Sequence, residues 1–416
     1  MLDDHFFRRE SPRLVAALTR IFGVHNLALA EDVVQDAFVR ALEIWKVRGI
    51  PDNPSAWLMT AAKNRALDHV RRERTAVTFA PVLVSEGKSE AVVDEAFAEH
   101  TIRDEQLRVM FSCCHPRLPD EVQVALILNI LCGFGANEIA GAFLTGRAAI
   151  EKRIQRGKKV LAGSRRLFDL SDREFAARLA TVQHALYLLF SEGYHGGGAM
   201  AVRSELCREA MRLADMLRDF PAAATPTTYA VAALMHLHAA RLPARIDAAG
   251  DLHPLLEQDR TRWDTQLLAR GVELLELSAS GTAVTQYHIE AAIAATHASA
   301  RTLEETDWSA IVSLYDRLMS IAPSPVVALN RAIAIAERDG AGRGLEELER
   351  IADRERLDSY PFYHAALGEL ELRLGRHERA RYHFRSAMAV ARNASERRFL
   401  EHRLQQCERF LAAPQS

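Results

Sequence analysis

Ala30-Glu-Asp-Val-Val-Gln-Asp-Ala-Phe-Val-Arg-Ala-Leu-Glu43 and, shortly after it, Asn53-Pro-Ser-Ala-Trp-Leu-Met-Thr-Ala-Ala-Lys-Asn-Arg-Ala-Leu-Asp-His-Val-Arg-Arg-Glu-Arg74 decide how this chain is read. In the first stretch Ala30, Val33, Val34, Ala37, Phe38, Ala41 and Leu42 recur at the three- and four-residue steps of an amphipathic helix. Its opposite face carries Glu31, Asp32, Gln35, Asp36 and Arg40. The second stretch opens with Asn53 as an N-cap and Pro54 at the first helical position. It closes on a basic cluster of Lys63, Arg65, Arg71, Arg72 and Arg74. An acidic and polar helix suits a protein partner, and a basic helix suits phosphate.

Taken together, the two stretches resemble region 2 of a sigma-70-type factor of the extracytoplasmic-function class. The carrying residues are the Asp32, Gln35 and Phe38 spacing, then Ala56-Trp-Leu58, Asn64, Ala66, Asp68, Arg71 and Arg72. The resemblance implies that Asp32, Gln35, Asp36 and Arg40 hold the β′ clamp helices of the RNA polymerase core. It assigns Asn53, Trp57, Lys63, Asn64, Arg65, Asp68, Arg71 and Arg72 to the minus-ten promoter element. The loop from Gly49 to Ser55 is implied to capture an extruded base, whose unstacking costs a few kcal/mol. Trp57 could stack on that base or belong to the core.

The acidic linker that follows has no sustained helical period from Thr75 to about Ile102, apart from a short helix expected at Glu90–His100. It is either an RNA-like acidic segment, as the resemblance implies, or a solvated connector. Beyond it, Pro119–Leu131 reads as an apolar helix opened by Asp120 and Glu121, which suit the positive end of its dipole. Cys132-Gly-Phe-Gly135 breaks it. A helix over 136–143, a turn at Leu144-Thr-Gly146 and a basic helix from Arg147 to Leu161 give helix-turn-helix geometry. Ala140 permits the close crossing, over a small core of Ile139, Phe143, Ile150 and Ile154. Arg147, Lys152, Arg153, Arg156, Lys158, Lys159, Arg165 and Arg166 crowd the second helix and its exit, the density that phosphate contacts need. This block resembles sigma region 4, implying the minus-thirty-five element and the polymerase β-flap as partners. Arg147, Ala149, Lys152, Arg153, Arg156 and Lys159 are the candidate contacts. Leu144 and Thr145 depart from the family's usual glycine and apolar residue at the turn.

Residues 167–416 read as serial helices: 172–191, 205–217, 227–242, 262–277, 286–300, 307–322, 325–337 and onward. Leu367, Gly368, Gly375, Ala380, Phe384 and Ala387 stand at the offsets of one tetratricopeptide repeat, with Glu371 and Arg392 departing from it. Phe190-Ser-Glu-Gly-Tyr194, Glu257-Gln-Asp-Arg-Thr-Arg-Trp-Asp264 and Ser324-Pro-Val-Val-Ala-Leu-Asn-Arg331 add to a resemblance to the subgroup with a large helical extension. The expectation is an all-α chain: sigma region 2 over 1–76, a linker over 77–104, region 4 over 105–166 and a tetratricopeptide-like regulatory extension over 167–416. What the resemblance implies of that extension is control in cis.

Composition limits the function classes. The net charge of −2 places any nucleic-acid binding in local patches, and 49% hydrophobic residues suffice for packed cores. No apolar run reaches membrane-spanning length and no signal-peptide core opens the chain, so a cytoplasmic, nucleoid-associated protein is expected, with no membrane partner. Five cysteines without paired spacing argue against a disulfide framework, and Cys113-Cys114-His115 fits buried thiols better than a metal site. His195-Gly-Gly-Gly198 could bring backbone amides to an anion, but no strand, P-loop lysine or nucleophile elbow accompanies it. No enzyme, metal or cofactor is expected. Asp259, Arg260, Trp263 and Asp264 suggest a salt-bridge network between helices, and the repeat array offers a groove for a protein or peptide partner. The alternative function is a polymerase-independent helix-turn-helix regulator with a helical-repeat interaction domain. A polymerase-clamp face at Asp32, Gln35 and Asp36 separates the two.

Overall fold

Alanine and leucine at helical spacing, and N-caps ahead of them, dominate the secondary structure. The computed structural model describes residues 4–79, 96–97, 99–142, 146–163, 168, 174–195, 202–247 and 249–412. It is all-α: 19 helices and no strand among these residues. The cap expected at Asn53 is made, and so are two further caps. Asn53 accepts a hydrogen bond from the Ala56 amide at 3.0 Å, Ser324 from that of Val327 at 3.2 Å, and Asp307 from that of Ala310 at 2.9 Å. Each satisfies an amide that the first turn of a helix leaves without a partner.

The chain divides into two compact units, Met1–Gly141 with Thr145–Leu188, and Ala142–Leu144 with Leu189–Ser416. The first unit begins with α1 (Asp4–Phe22), α2 (Leu27–Arg48) and α3 (Pro54–Phe79), packed on one another. Ala30, Val33, Val34, Ala37, Ala41 and Trp45 bury the inner face of α2. Leu42, expected on that face, is 58% exposed, because the stripe turns through Ala41 to Trp45 and leaves it outside. Helix α3 runs to Phe79, past the expected boundary at 76, and α4 (Glu99–Cys113) starts inside the expected linker. The acidic run at Glu86, Glu90, Asp94 and Glu95 lies outside the described residues.

Next come α5 (Asp120–Leu126), which continues into a π turn over Ile127–Leu131, then α6 (Ala136–Ala142) and α7 (Arg147–Gly163). Cys132 closes the π turn by donating its amide to Ile127 across 3.1 Å. Ile139, Ala140, Ile150 and Ile154 are buried. Phe143, Leu144 and Thr145, the expected turn, lie outside the described residues, as do Arg165 and Arg166. Gly157 brings α7 against α5: a Cβ there would stand 2.5 Å from Leu126 Cδ1. The first unit also takes in the start of α8 (Phe175–His195), well beyond the expected border at 166. Arg178 explains why. Its buried guanidinium donates to the carbonyls of Phe111 and Cys114 at 3.3 and 3.2 Å, at the end of α4, and lies 4.7 Å from the Phe168 ring.

The second unit holds α9 (Ser204–Arg218), α10 (Pro226–Ala239), the short α11 (Leu242–Arg245), α12 (Thr265–Ser278), α13 (Gln286–Ser299), α14 (Trp308–Ile321), α15 (Pro325–Asp339), α16 (Ala341–Glu349), α17 (Pro361–Arg373), α18 (His377–Ala389) and α19 (Ala394–Ala412). Helices α17 and α18 pack closely across a turn at Gly375, whose φ is +70°. A Cβ on Gly368 would meet the Phe384 ring at 2.7 Å, so only glycine admits that ring. The two departures from the repeat pattern are explained. Glu371 is buried and paired with Arg376 at 3.2 Å and Arg379 at 3.6 Å. Arg392 clasps Glu396 at 2.7 Å with its guanidinium 5.5 Å from the Phe362 ring.

The five cysteines are free and buried. Burial pushes the Cys114 and Cys207 thiols up to about 12 and raises those of Cys113 and Cys407. Little thiolate therefore exists near pH 8, and thiolate is the reactive species. We predict no fast-reacting thiol toward DTNB in the native chain at pH 8, and five after denaturation; a rapid native phase would contradict this packing. We further predict different outcomes for two glycine-to-alanine changes on α7. Gly157→Ala should cost about 1–3 kcal/mol through overpacking against Leu126. Gly163→Ala, which meets nothing within 4 Å, should be neutral or stabilising by up to ~0.5 kcal/mol. Urea unfolding followed by circular dichroism reads both.

Candidate nucleic-acid interface

Burying the apolar stripe of α2 forces its polar residues outward. Asp32, Gln35, Asp36 and Arg40 are all exposed along that face. Asp36 is not alone there. Its Oδ2 accepts from Arg65 Nη2 at 2.8 Å and Nε at 3.2 Å, so the two candidate surfaces meet at this pair. Side chains 56% and 48% exposed make it a weak, screened pair, of roughly 0–1 kcal/mol.

On α3, Leu58, Ala62 and Ala66 are buried. That sets Asn53, Asn64, Arg65, Asp68, Arg71 and Arg72 on the exposed side, with Lys63 half-buried at its margin. Arg65 is the member turned toward α2; the others extend the face beyond it. Trp57 is half-buried and meets Trp45 edge-on at 5.2 Å, and Trp45 stacks in turn on Phe7 at 5.9 Å. Of the two uses open to this tryptophan, the aromatic core is occupied. The Gly49–Asn53 loop is anchored where α3 begins: Ser55 Oγ donates to the buried Glu10 at 2.7 Å, and Arg13 donates to Glu10 at 3.2 Å. Gly49, at φ +81°, turns the chain out of α2. Glu10 and Arg13 were missed from sequence, since their link to Ser55 spans more than forty residues and no short-range pattern signals it.

On α7 the buried stripe of Ile150, Ile154, Gly157 and Leu161 aims Ala149, Lys152, Gln155, Arg156 and Lys159 at solvent. The cations divide by use. Arg147 pairs with Glu151 at 2.6 Å, Arg153 with Glu121, and Lys158 with Glu31 of α2 at 2.5 Å. Lys152, Arg156 and Lys159 carry no ion pair among the described residues, and they form an exposed row one helical turn apart. Lys158 is thus a bridge inside the first unit. Beside it, Gln35 and Glu31 share a crevice with Asn129, Phe134 and Lys158.

Around Asp259–Asp264 the expected salt-bridge network is replaced by hydrogen bonds. Asp259 caps a short turn by accepting from the Thr261 amide at 3.0 Å, and Asp264 caps α12 through the amides of Gln266 and Leu267. Arg260 donates to the His297 and Ala300 carbonyls at 2.9 and 2.8 Å and to Thr306 Oγ1 at 2.9 Å. The cluster joins neighbouring elements through backbone carbonyls at the end of α13, where a cation also meets the negative end of the helix dipole.

None of the described helices is long and apolar enough to cross a membrane. No group of three or more His, Cys, Asp or Glu among the described residues is placed to hold a metal ion.

Comparison with known proteins gives the chain its relatives. Residues 6–76 match the model of sigma-70 region 2, which spans α1, α2 and most of α3. Residues 178–279 match a family of unknown function, DUF6596. Over 399 residues the chain is 39% identical to an uncharacterized protein of Rhizobium meliloti (strain 1021), covering 94% of this chain and 93% of that one. The chain belongs to the family of that rhizobial protein, and its amino-terminal region 2 marks it as a sigma-70-type factor of transcription initiation.

Proposed function

We propose that this chain is a sigma factor of the extracytoplasmic-function type, controlled in cis by its tetratricopeptide-like extension. In this reading the polar face of α2 holds the β′ clamp of polymerase core. The exposed side of α3 and the Gly49–Ser55 loop address the minus-ten element. Lys152, Arg156 and Lys159, with Arg147, Ala149 and Arg153 beside them, address the minus-thirty-five element, and the surrounding domain meets the β-flap. The observation that carries the reading is the Asp36–Arg65 contact, which sets a polymerase-facing helix and a DNA-facing helix edge to edge within the region 2 match. A regulator independent of polymerase has no use for the first of those faces.

Lys158 and Arg20 support a further part of the reading. They hold the two promoter modules in one unit through Glu31 at 2.5 Å and Glu105 at 3.1 Å. Spreading over two promoter elements exchanges such pairs for phosphates, and tethering then raises the effective concentration of the second module.

Two measurements test the assignment. Asp36→Arg in the full chain should lower run-off transcription with purified core polymerase at least about tenfold, equivalent to ~1.4 kcal/mol of lost contact. Its circular dichroism and melting temperature should stay close to those of the parent, and Asp36→Asn should fall between. A folded Asp36→Arg protein that transcribes normally would move the function to the polymerase-independent regulator. Replacing Arg156 and Lys159 together by Ala should weaken promoter binding and lower the slope of log affinity against log salt by about 2. An unchanged slope would remove α7 from the DNA interface. The sign of the extension's control follows from comparing the full chain with one ended after His195, which retains Arg178.

A further inference from the structure

Buried charges in the second unit obey a consistent rule. Glu371 is paired with Arg376 and Arg379, and Glu396 with Arg392. One place breaks it. Arg241 and Arg245, just before and within α11, are 5% and 8% exposed, and neither meets a carboxylate among the described residues. The Arg245 guanidinium lies 4.4 Å from the centre of the Tyr194 ring. That of Arg241 lies 6.0 Å from the same ring and 5.7 Å from Trp263. Arg241 Nε reaches only Gln258 Oε1, at a long 3.5 Å. Aromatic faces attract a cation but do not replace its hydrogen bonds, and an unpaired guanidinium withdrawn from water is strongly destabilising.

The polar atoms around these arginines repeat the pattern. Arg245 Nε, Trp263 Nε1, Tyr194 Oη, His238 Nδ1 and His297 Nδ1 are buried without a hydrogen-bond partner. Other such atoms are scattered through the chain, but here five surround two guanidinium groups that meet no carboxylate, and most buried polar groups find a partner. Two of the five are obligate donors, and the other three can donate. The field is positive: burial and then Arg241 hold the His238 imidazole well below its ordinary range, and burial with Arg241 and Arg260 drops His297 to about 3. Donors and cations converge with no acid among them.

We propose that this cluster is a binding site for a small oxyanion, a carboxylate or phosphate group, gripped by Arg241 and Arg245 between Tyr194 and Trp263. Guanidinium forks match both groups in two parallel hydrogen bonds, and the unpaired hydroxyl, indole and imidazole groups supply the remaining donors. Tyr194, His238, Arg241, Arg245 and Trp263 all fall within residues 178–279, so the site belongs to the segment that matches the family of unknown function. It stands independently of the promoter-binding reading.

The test is isothermal titration of the full chain with inorganic phosphate and, separately, with acetate, in Tris-chloride at constant ionic strength. Saturable binding of at least one probe at millimolar concentration or below is expected, and which probe binds identifies the headgroup. Arg245→Met and Arg241→Met, which keep the volume and remove the charge, should each weaken it at least tenfold. Without anion, both variants should melt no lower than the parent, because each removes an uncompensated buried cation. Replacing Arg156 and Lys159 by Ala should leave the binding unchanged. Absence of saturable binding by either probe in the parent chain would overturn the proposal, whatever the variants do. So would full binding in both methionine variants, or its loss on changing Arg156 and Lys159.

Discussion

Close approach of helices over small side chains is the constraint on which this molecule depends. Ala30, Ala37 and Ala41 of α2, Ala62 and Ala66 of α3, Gly157 of α7 and Gly368 of α17 are buried or would clash if enlarged. Each lets a neighbouring helix approach closely, and the narrow stripe it forms fixes how that helix is rotated about its axis. Rotation then decides function. Because Ile150, Ile154, Gly157 and Leu161 face inward, Lys152, Arg156 and Lys159 have no choice but solvent. A stripe moved by one residue would bury a cation and expose an isoleucine.

That dependence explains which parts of the fold and site could be read from sequence. Periodic apolar residues and caps are local, so α2, α3, α7 and the serial helices of the second unit stand close to where the pattern puts them. Asp264 shows the limit at a helix end: expected within a helix beginning at Arg262, it is the cap of one beginning at Thr265. Leu42 shows the limit on a face, since periodicity cannot tell which edge of a wide stripe a neighbour covers. Interactions across long stretches of chain were not legible at all. Glu10 with Ser55, Arg178 with the carbonyls of Phe111 and Cys114, and Lys158 with Glu31 join residues whose types signal nothing until the helices meet. Among the candidate DNA contacts, the charge pattern gave the set but not its division. Arg153 is bound to Glu121 inside the domain, whereas Arg156 is open to a partner.

Arginine plays two opposed parts in the chain. On α3, and at Arg156 of α7, it stays hydrated and exposed, where it contributes little to stability. Around Tyr194 and Trp263 it is stripped of water, and the fold carries the cost. Arg260, a short distance along the chain, shows a third arrangement, with its guanidinium spent on carbonyls of α13 and on Thr306. The difference between Arg260 and its neighbours Arg241 and Arg245 is the acceptor. Packing alone does not retain an unpaired buried cation, since an apolar side chain of similar volume would fill the space at lower cost. Such a residue points to a complement outside the polypeptide.

A complement of that kind has a thermodynamic consequence for control. A ligand shifts an equilibrium only by the difference in its affinity for the two states. An anion that completes the Arg241–Arg245 cluster stabilises every conformation in which Tyr194, Arg245 and Trp263 converge, and no other. Tyr194 sits in the last turn of α8, and the same helix carries Arg178, which caps the end of α4 in the first unit. One continuous helix therefore has its ends committed to two different chemical environments. Any effect of that anion on a second ligand is reciprocal, since linkage requires the second ligand to alter anion affinity by the same factor.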